Sequence, residues 1–245
     1  MTTPQASVAL VVGATGGIGR AIADELERNG LTVLRADLHQ SSGTVSCDVT
    51  DESSIAAVVA HVEQEHGRLD VVVNCAGVID VAPVATMPSR QWQRVLDVNL
   101  TGAFLLTRAV LPLVRRSTAG RIIHIASDAG KTGEPWIAHY AASKFGLIGF
   151  TQSLALELAT EPVTANCVCP VICETDMMDQ LAAEIAVASG EGDAAMWRDR
   201  FVAEIPAGRA CRPEDVAAVV AFLATPAAAF VTGQAINVSG GHELN

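Results

Sequence analysis

The sequence is short of positive charge: 16 Lys and Arg stand against 27 Asp and Glu, a net charge of −11. Nucleic acid requires a basic surface that displaces counter-ions from its phosphates, so this balance excludes it as a partner. The same deficit argues against an anionic membrane surface. Charge of either sign is scarce, at 18% of residues, while half are hydrophobic, which is unlike a disordered chain and ample for a sizeable core. No apolar run reaches the roughly 20 residues that span a bilayer. The N-terminal Met1-Thr-Thr-Pro-Gln-Ala-Ser7 lacks the basic and apolar regions of a secretory leader. The six cysteines lie scattered in apolar segments with no disulfide framework, and Cys167, Cys169 and Cys173 do not have the paired spacing of a zinc site. A reduced, cytoplasmic setting and no metal are expected. Repeats, linkers and low-complexity segments are missing too, so the chain reads as one domain, 1–245.

What is present is an alternation. Val8–Val12 is a β-branched apolar run, followed by Gly13-Ala-Thr-Gly-Gly-Ile-Gly19 and a helical period up to a stop at Asn29-Gly30. Further strands are predicted over 32–36, 44–47, 71–73, 121–126, 164–168 and 234–238. Helices are predicted over 52–66, 89–97, from Asn99 to Arg116, 140–159 and 213–224. Nearly all-apolar strands alternating with helices indicate a parallel sheet covered on both faces, an α/β fold. One long excursion, about 175–209, contains a Gly- and Ala-rich patch at 188–195 and reads as a mobile helical lid.

The glycine cluster follows a strand and opens a helix, the context in which glycines signal a dinucleotide site. They let the backbone turn tightly and approach a pyrophosphate, while the helix N-terminus supplies free N–H groups. Asp37 closes the next strand roughly 20 residues on, where a carboxylate accepts from ribose hydroxyls and repels a 2′-phosphate. Neither Thr15 nor Leu38 is basic, so NAD is expected over NADP, with Arg35 and His39 placed to soften that preference.

Farther on, Ser127 ends a strand, loop 131–139 follows, and Tyr140 and Lys144 are spaced to share a helix face. A phenol, an ammonium and a hydroxyl held together can move a proton. Taken singly, the Tyr reads as core, the Lys as a solvated face, the Ser as a cap and Asn99 as a turn residue. Their joint occurrence beside a dinucleotide fingerprint favours chemistry.

The glycine cluster, Asn74-Cys-Ala-Gly77, Asn99, Ser127 and Tyr140-x-x-x-Lys144, in this order and spacing, closely resemble the short-chain dehydrogenase/reductase family, and the likeness runs to Val231-Thr-Gly-Gln-Ala-Ile-Asn-Val-Ser-Gly-Gly241. The resemblance implies a Rossmann-type doubly wound sheet of about seven strands in the order 3-2-1-4-5-6-7. It also implies roles. Tyr140 is the general acid/base, Lys144 binds the nicotinamide ribose and lowers the phenol's pKa, Ser127 bonds the substrate oxygen, and Asn99 holds a water linking Lys144 to solvent. Cofactor contacts carry over to Gly13, Thr15, Gly17, Ile18, Gly19, Asp37 and Leu38. Asp48 and Val49 flank the adenine, Asn74, Ala76 and Gly77 line the cleft, and Cys173 and Thr175 bind the carboxamide. Val12 stands where the family usually has Thr, Val171 where Gly usually follows Pro170, and Cys75 where Asn is commoner. A homotetramer is implied, with a dimer as the alternative, and Leu105, Val110, Leu147 and Phe150 are expected on its outer helix faces.

The reaction class so implied is hydride transfer between NAD(H) and a small-molecule secondary alcohol or ketone. Gly133-Glu134 in the loop resembles polyol and sugar-alcohol dehydrogenases, with Glu134, Trp136 and Met177 as candidate substrate contacts. Ala126-Ser-Asp-Ala and the short second βα unit suit a cyclic-diol dehydrogenase. The alternative is a 3-oxoacyl-[acyl-carrier-protein] reductase, which Glu174-Thr-Asp-Met177 and Ile205-Pro-Ala-Gly-Arg209 resemble. Against it stand the net charge of −11, with only Arg115-Arg116 to meet an acidic carrier, the long lid, and Asp37. From another class, a catalytically silent NAD-binding scaffold or sensor uses the same fold.

Overall fold

The computed structural model describes residues 6–39, 41–190 and 192–245. Most of the N-terminal segment read for a leader, and Glu191 in the Gly- and Ala-rich patch, lie outside the described residues.

Seven strands form one parallel sheet in the order β3-β2-β1-β4-β5-β6-β7, as expected. They are β1 (Val8–Val12), β2 (Thr32–Asp37), β3 (Thr44–Ser46), β4 (Val71–Asn74), β5 (Gly120–Ile125), β6 (Val163–Pro170) and β7 (Ala235–Val238). Alternate side chains face opposite ways. Val8, Leu10 and Val12 join one core, packed under α2 (Glu52–His66), α4 (Gly102–Val114) and α5 (Ala138–Glu157). Ala9 and Val11 join the other, under α1 (Gly17–Arg28) and α8 (Pro213–Leu223). β1 pairs with both β2 and β4, so the chain's direction of travel across the sheet reverses there and opens a crevice at the strands' C-terminal ends.

Several expectations shift. β6 continues to Pro170, two residues beyond its anticipated end. Proline is tolerated because pairing with β5 stops at Val168, leaving only β7 beside it. The helices flanking Asn99, α3 (Ser89–Leu96) and α4, are joined by a π-turn at Asp97–Thr101, so the helix is continuous over Ser89–Val114. That stretch is long and apolar enough to cross a membrane, yet Val95, Leu106, Val110 and Leu113 pack it into the core. Val110 and Leu147, anticipated on outer faces, are buried, and Leu105 and Phe150 are partly buried. The exposed apolar residues of α4 and α5 are instead Phe104, Phe145 and Leu156. The excursion holds two helices, α6 (Asp176–Ser189) and α7 (Ala194–Glu204), joined through buried Ala182, Ile185 and Trp197.

Candidate active site

The turn from β1 to α1 forms the floor. Gly13 has φ of 81°, in the left-handed region that favours glycine, and a Cβ there would stand 2.7 Å from the Cys75 carbonyl carbon. A Cβ on Gly19 would fall 2.0 Å from the Gly13 oxygen, so the loop closes on itself only because both are glycines. Gly17 brings the floor against Thr175, whose Cγ2 lies 2.7 Å from where its Cβ would be. The helix N-terminus at Gly16 and Gly17 faces the cavity, with no acidic residue in the first turn of α1 to oppose an anion. This backbone cradle fits a pyrophosphate.

Asp37 is 8% exposed at the end of β2. Its carboxylate accepts from the backbone N–H of Thr15 at 3.0 Å and of His39 at 3.1 Å, so it braces the glycine loop as well as marking the ribose end. Arg35 turns the other way and pairs with Asp24 at 2.7 Å and Glu27 at 2.9 Å on α1. Leu38 is exposed. Asp48 accepts from the N–H and hydroxyl of Thr50, and Val49 is buried against Gly102. Asn74 accepts from the Ala76 N–H at 3.1 Å, fixing the strand end that leads to Gly77.

Across the crevice, Lys144 is 4% exposed, and its Nζ donates to the Ile125 carbonyl at 2.8 Å while lying 5.5 Å from the Tyr140 ring centre. Tyr140 is the third residue of α5, because that helix starts at Ala138 and shortens loop 131–139 from its far end. Asn99 sits in the π-turn, a helix irregularity frequent at functional sites. Its side chain is fully engaged: Oδ1 accepts from Val78 N–H at 2.8 Å, and Nδ2 donates to Val78 O at 2.9 Å and Ser143 Oγ at 3.0 Å. It therefore fixes the Gly77–Val78 backbone beside Lys144, since a Cβ on Gly77 would come 3.6 Å from Nζ.

Burial sets the proton affinities here. It pushes the Tyr140 phenol up to about 12, against a smaller downward effect of the Ser127 hydroxyl, and Asp128 pushes it further up. Burial also pushes Lys144 down to about 8. In the chain by itself, burial is the largest influence on both groups, since desolvation penalises phenolate and ammonium alike. A cofactor's cationic ring would have to restore the downward shift.

Beyond Tyr140 opens a cavity of about 510 Å³. Gly13, Gly17, Ile18, Gly19, Gly77, Ser127, Tyr140, Lys144, Cys173 and Thr175 line it together with Glu134, Trp136 and Met177, whereas Thr15, Asp37, Leu38, Asp48, Val49, Asn74, Ala76 and Asn99 stand off it. Trp136 has φ of 62°, a strained conformation for an aromatic residue, and its carbonyl accepts from Ala82 N–H at 2.8 Å. The lid adds Leu181, Ile185, Trp197 and Phe201, so one wall is apolar. The other end is acidic, with Glu134, Asp128 and Glu204. Glu134 is held protonated to higher pH by burial first and then by the nearby Asp128. Sequence reasoning missed Asp128, Phe201 and Cys75 as cavity residues. The Ser-Asp dipeptide was the one available signal, because the lid contacts depend on how two helices dock.

Cys167 and Cys169 pack against Ala126 and Leu147. Cys173 meets the thiol of Cys211 across a bridge between their backbones, and that neighbour together with burial pushes its own thiol up. Val171 is buried in the core that contains Cys173 and Cys211. Its bulk is absorbed by packing there.

The family described as Enoyl-(Acyl carrier protein) reductase matches residues 13–243. A 3-oxoacyl-[acyl-carrier-protein] reductase of Vibrio cholerae is 37% identical over 249 residues, covering 97% of each chain. Among solved structures, an actinorhodin polyketide ketoreductase with NADPH matches with a TM-score of 0.93 and 39% identity over 100% of both chains. The ligand-free aldohexose dehydrogenase of Thermoplasma acidophilum matches with a TM-score of 0.90 and 32% identity over 97% of this chain and 94% of the other. With a glycine cradle at the strand crossover and a Ser, Tyr and Lys brought together beside it, these likenesses over nearly the whole length identify the chain as a member of the short-chain dehydrogenase/reductase family, oxidoreductases that bind a nicotinamide cofactor.

Proposed function

We propose that the chain transfers a hydride between NAD(H) and a secondary alcohol or ketone carrying a second hydroxyl, a small polyol, a sugar alcohol or a cyclic diol. The observation that carries this reading is the half-buried Glu134 in the same cavity as Ser127 and Tyr140. A carboxyl there takes a hydrogen bond from a hydroxyl one or two carbons from the reacting centre. The apolar face of Trp136, Trp197 and Phe201 favours a ring over an open chain. The resemblance to an aldohexose dehydrogenase points the same way. Asp37 supports NAD, since Arg35, the cation two residues before it, is held by Asp24 and Glu27.

The bound nicotinamide supplies the hydride acceptor, and the chain does the rest. Tyr140 removes the hydroxyl proton as the C–H bond breaks, and returns it in reduction. Lys144, donating to Ile125 O and lying over the Tyr140 ring, would hold the cofactor by bonding a ribose hydroxyl. Ser127 orients the reacting oxygen. Asn99 keeps Gly77 and Val78 in line, so the wall beside Lys144 does not shift.

Carrier-protein reduction is the second reading, favoured by the Vibrio relative. It is weakened by the acidic surface and because Arg115 and Arg116 are paired with Glu161 and Glu63. Purified protein assayed with NAD+ and NADP+ on sugar alcohols, cyclic diols and simple secondary alcohols, and with NADPH on acetoacetyl thioesters, separates the two. NAD+-linked diol or polyol oxidation is expected. Thioester reduction with no alcohol oxidation overturns the first reading.

A further inference from the structure

Next to the catalytic serine lies a group that the mechanism above leaves unused. Asp128 follows Ser127 directly, in a 3-10 turn at Asp128–Gly130. The Ser127 hydroxyl donates to Asp128 Oδ1 at 2.9 Å, and the same oxygen accepts from Ala129 N–H at 2.8 Å. Ala129 N–H also reaches Ser127 Oγ at 3.2 Å. The other carboxylate oxygen, Oδ2, faces His242 Nδ1 at 3.4 Å, a coulombic contact without hydrogen-bond alignment.

His242 is carried there by a built tail. Gly240 and Gly241, at φ of 59° and 91°, turn the chain after β7. Ser239 Oγ and Asn237 Nδ2 donate to the Glu243 carbonyl, Thr132 bonds the Glu243 carboxylate, and Lys131 bonds Ala235 O and the terminal Asn245 O. The His242 ring in turn packs on Phe201 of the lid, with centres 5.1 Å apart. Residues far apart in sequence thus converge on one carboxylate behind Ser127.

A serine hydroxyl has one proton to give. Resting on the assignment of Tyr140 as acid/base, we propose that Asp128, steadied by His242, is a positioning residue that holds the Ser127 proton away from Tyr140 and turns the serine's remaining lone pair toward the reacting oxygen. Ser127 and Tyr140 line the same cavity. With its proton committed to Asp128, Ser127 no longer donates toward the phenol oxygen, and the neutral phenol is favoured over phenolate. An alcohol has a proton for the same oxygen and a ketone has none, so the arrangement binds the alcohol in preference. Release of Asp128 frees the serine to donate to phenolate or to a carbonyl.

Asp128 also has a charge that acts directly, and it has other neighbours. Facing it are His242 and Glu243 from the tail, Glu134 from the loop, Tyr140 from α5 and Cys169 from β6. A double-mutant cycle separates the two routes. Tyr140 is the sole tyrosine of the chain, so protein labelled at tyrosine Cζ gives one carbon-13 resonance that reports its ionisation. The full chain is titrated as wild type, Asp128→Ala, Ser127→Ala and the double variant. Asp128→Ala is expected to raise the phenol's acid constant by tenfold or more with Ser127 present, and by much less in the Ser127→Ala background. Equal changes in both backgrounds mean that Asp128 acts by charge alone and overturn the proposal, as does no change at all. Asp128→Asn keeps an acceptor and removes the charge, and it is expected to stay closer to wild type than Asp128→Ala. A full Ala-sized change in Asn also overturns the proposal. The titration requires no turnover, so it is read independently of the substrate and of the proposed activity.

Discussion

The two halves of the cavity are built by different means. The half proposed for the cofactor is built on one contiguous unit, β1-α1-β2, and its shape is made by backbone: two glycines nearly touching, a helix N-terminus and a carboxylate that braces the turn. The half proposed for the substrate is assembled from loop 131–139, α6, α7 and the residues after β7, and its shape is made by side chains. A backbone device tolerates almost no substitution, yet its features lie close together in sequence. A side-chain device varies freely, and its parts are brought together by packing. The contrast explains why relatives that share one fold range from an aldohexose dehydrogenase to a polyketide ketoreductase.

Substitutions on each side test that contrast. The largest effect is expected where the halves meet: Tyr140→Phe should lower turnover by about 10³-fold, within the range for general acid–base catalysis, and leave cofactor affinity unchanged by calorimetry. Substantial residual turnover would remove Tyr140 from its role. Gly19→Ala places a Cβ where the Gly13 oxygen is, so thermal melts should show a loss of about 1–3 kcal/mol and little further stabilisation by NAD+. Ordinary stability with normal cofactor binding would mean that the loop is not a rigid backbone device.

Asp37→Ala should erase roughly 10- to 100-fold of preference for NAD over NADP, the value of one or two charge-assisted bonds, read from kcat/KM with each cofactor. Finding wild-type protein already selective for NADP would refute the assignment. Alcohol oxidation needs the phenol deprotonated, and burial pushes that phenol up to about 12 and Lys144 down to about 8. The oxidation rate should therefore climb with pH between pH 6 and 8, by up to about tenfold per unit while the phenol stays protonated, with reduction moving oppositely or not at all. A flat oxidation profile would point to a different base. Glu134→Gln should change least, raising KM for a diol by about tenfold with kcat nearly unchanged, because it removes one charge-assisted bond to a bystander hydroxyl. An equal loss in kcat would place Glu134 in the chemistry.

The same contrast governs how much was legible beforehand. Val8–Val12, Gly13 to Gly19 and Asp37 announced a glycine-floored strand crossover because strand, turn and helix follow one another without interruption. Tyr140 and Lys144 were legible for a related reason: residues four apart on one helix face the same way. The π-turn at Asn99 was not, because nothing local distinguishes it from an ordinary helix. Val110 and Leu147 were placed on outer faces although both are core, since a helix that is apolar all round hides which stripe is buried. The upward push of burial on the phenol was not legible, because charge pairing is visible in a sequence and desolvation is not.

By itself the sequence determined the sheet, its alternating faces and the glycine floor, through periodicity and the steric demands of single residues. Tertiary structure alone decided that Asp128 meets His242, that Phe201 of the lid covers that contact, and that Trp136, Trp197 and Glu134 share one cavity. Such contacts depend on the docking angle of helices and on where a tail turns back. A chain of residues does not fix those locally, since each is the outcome of packing between segments far apart in sequence.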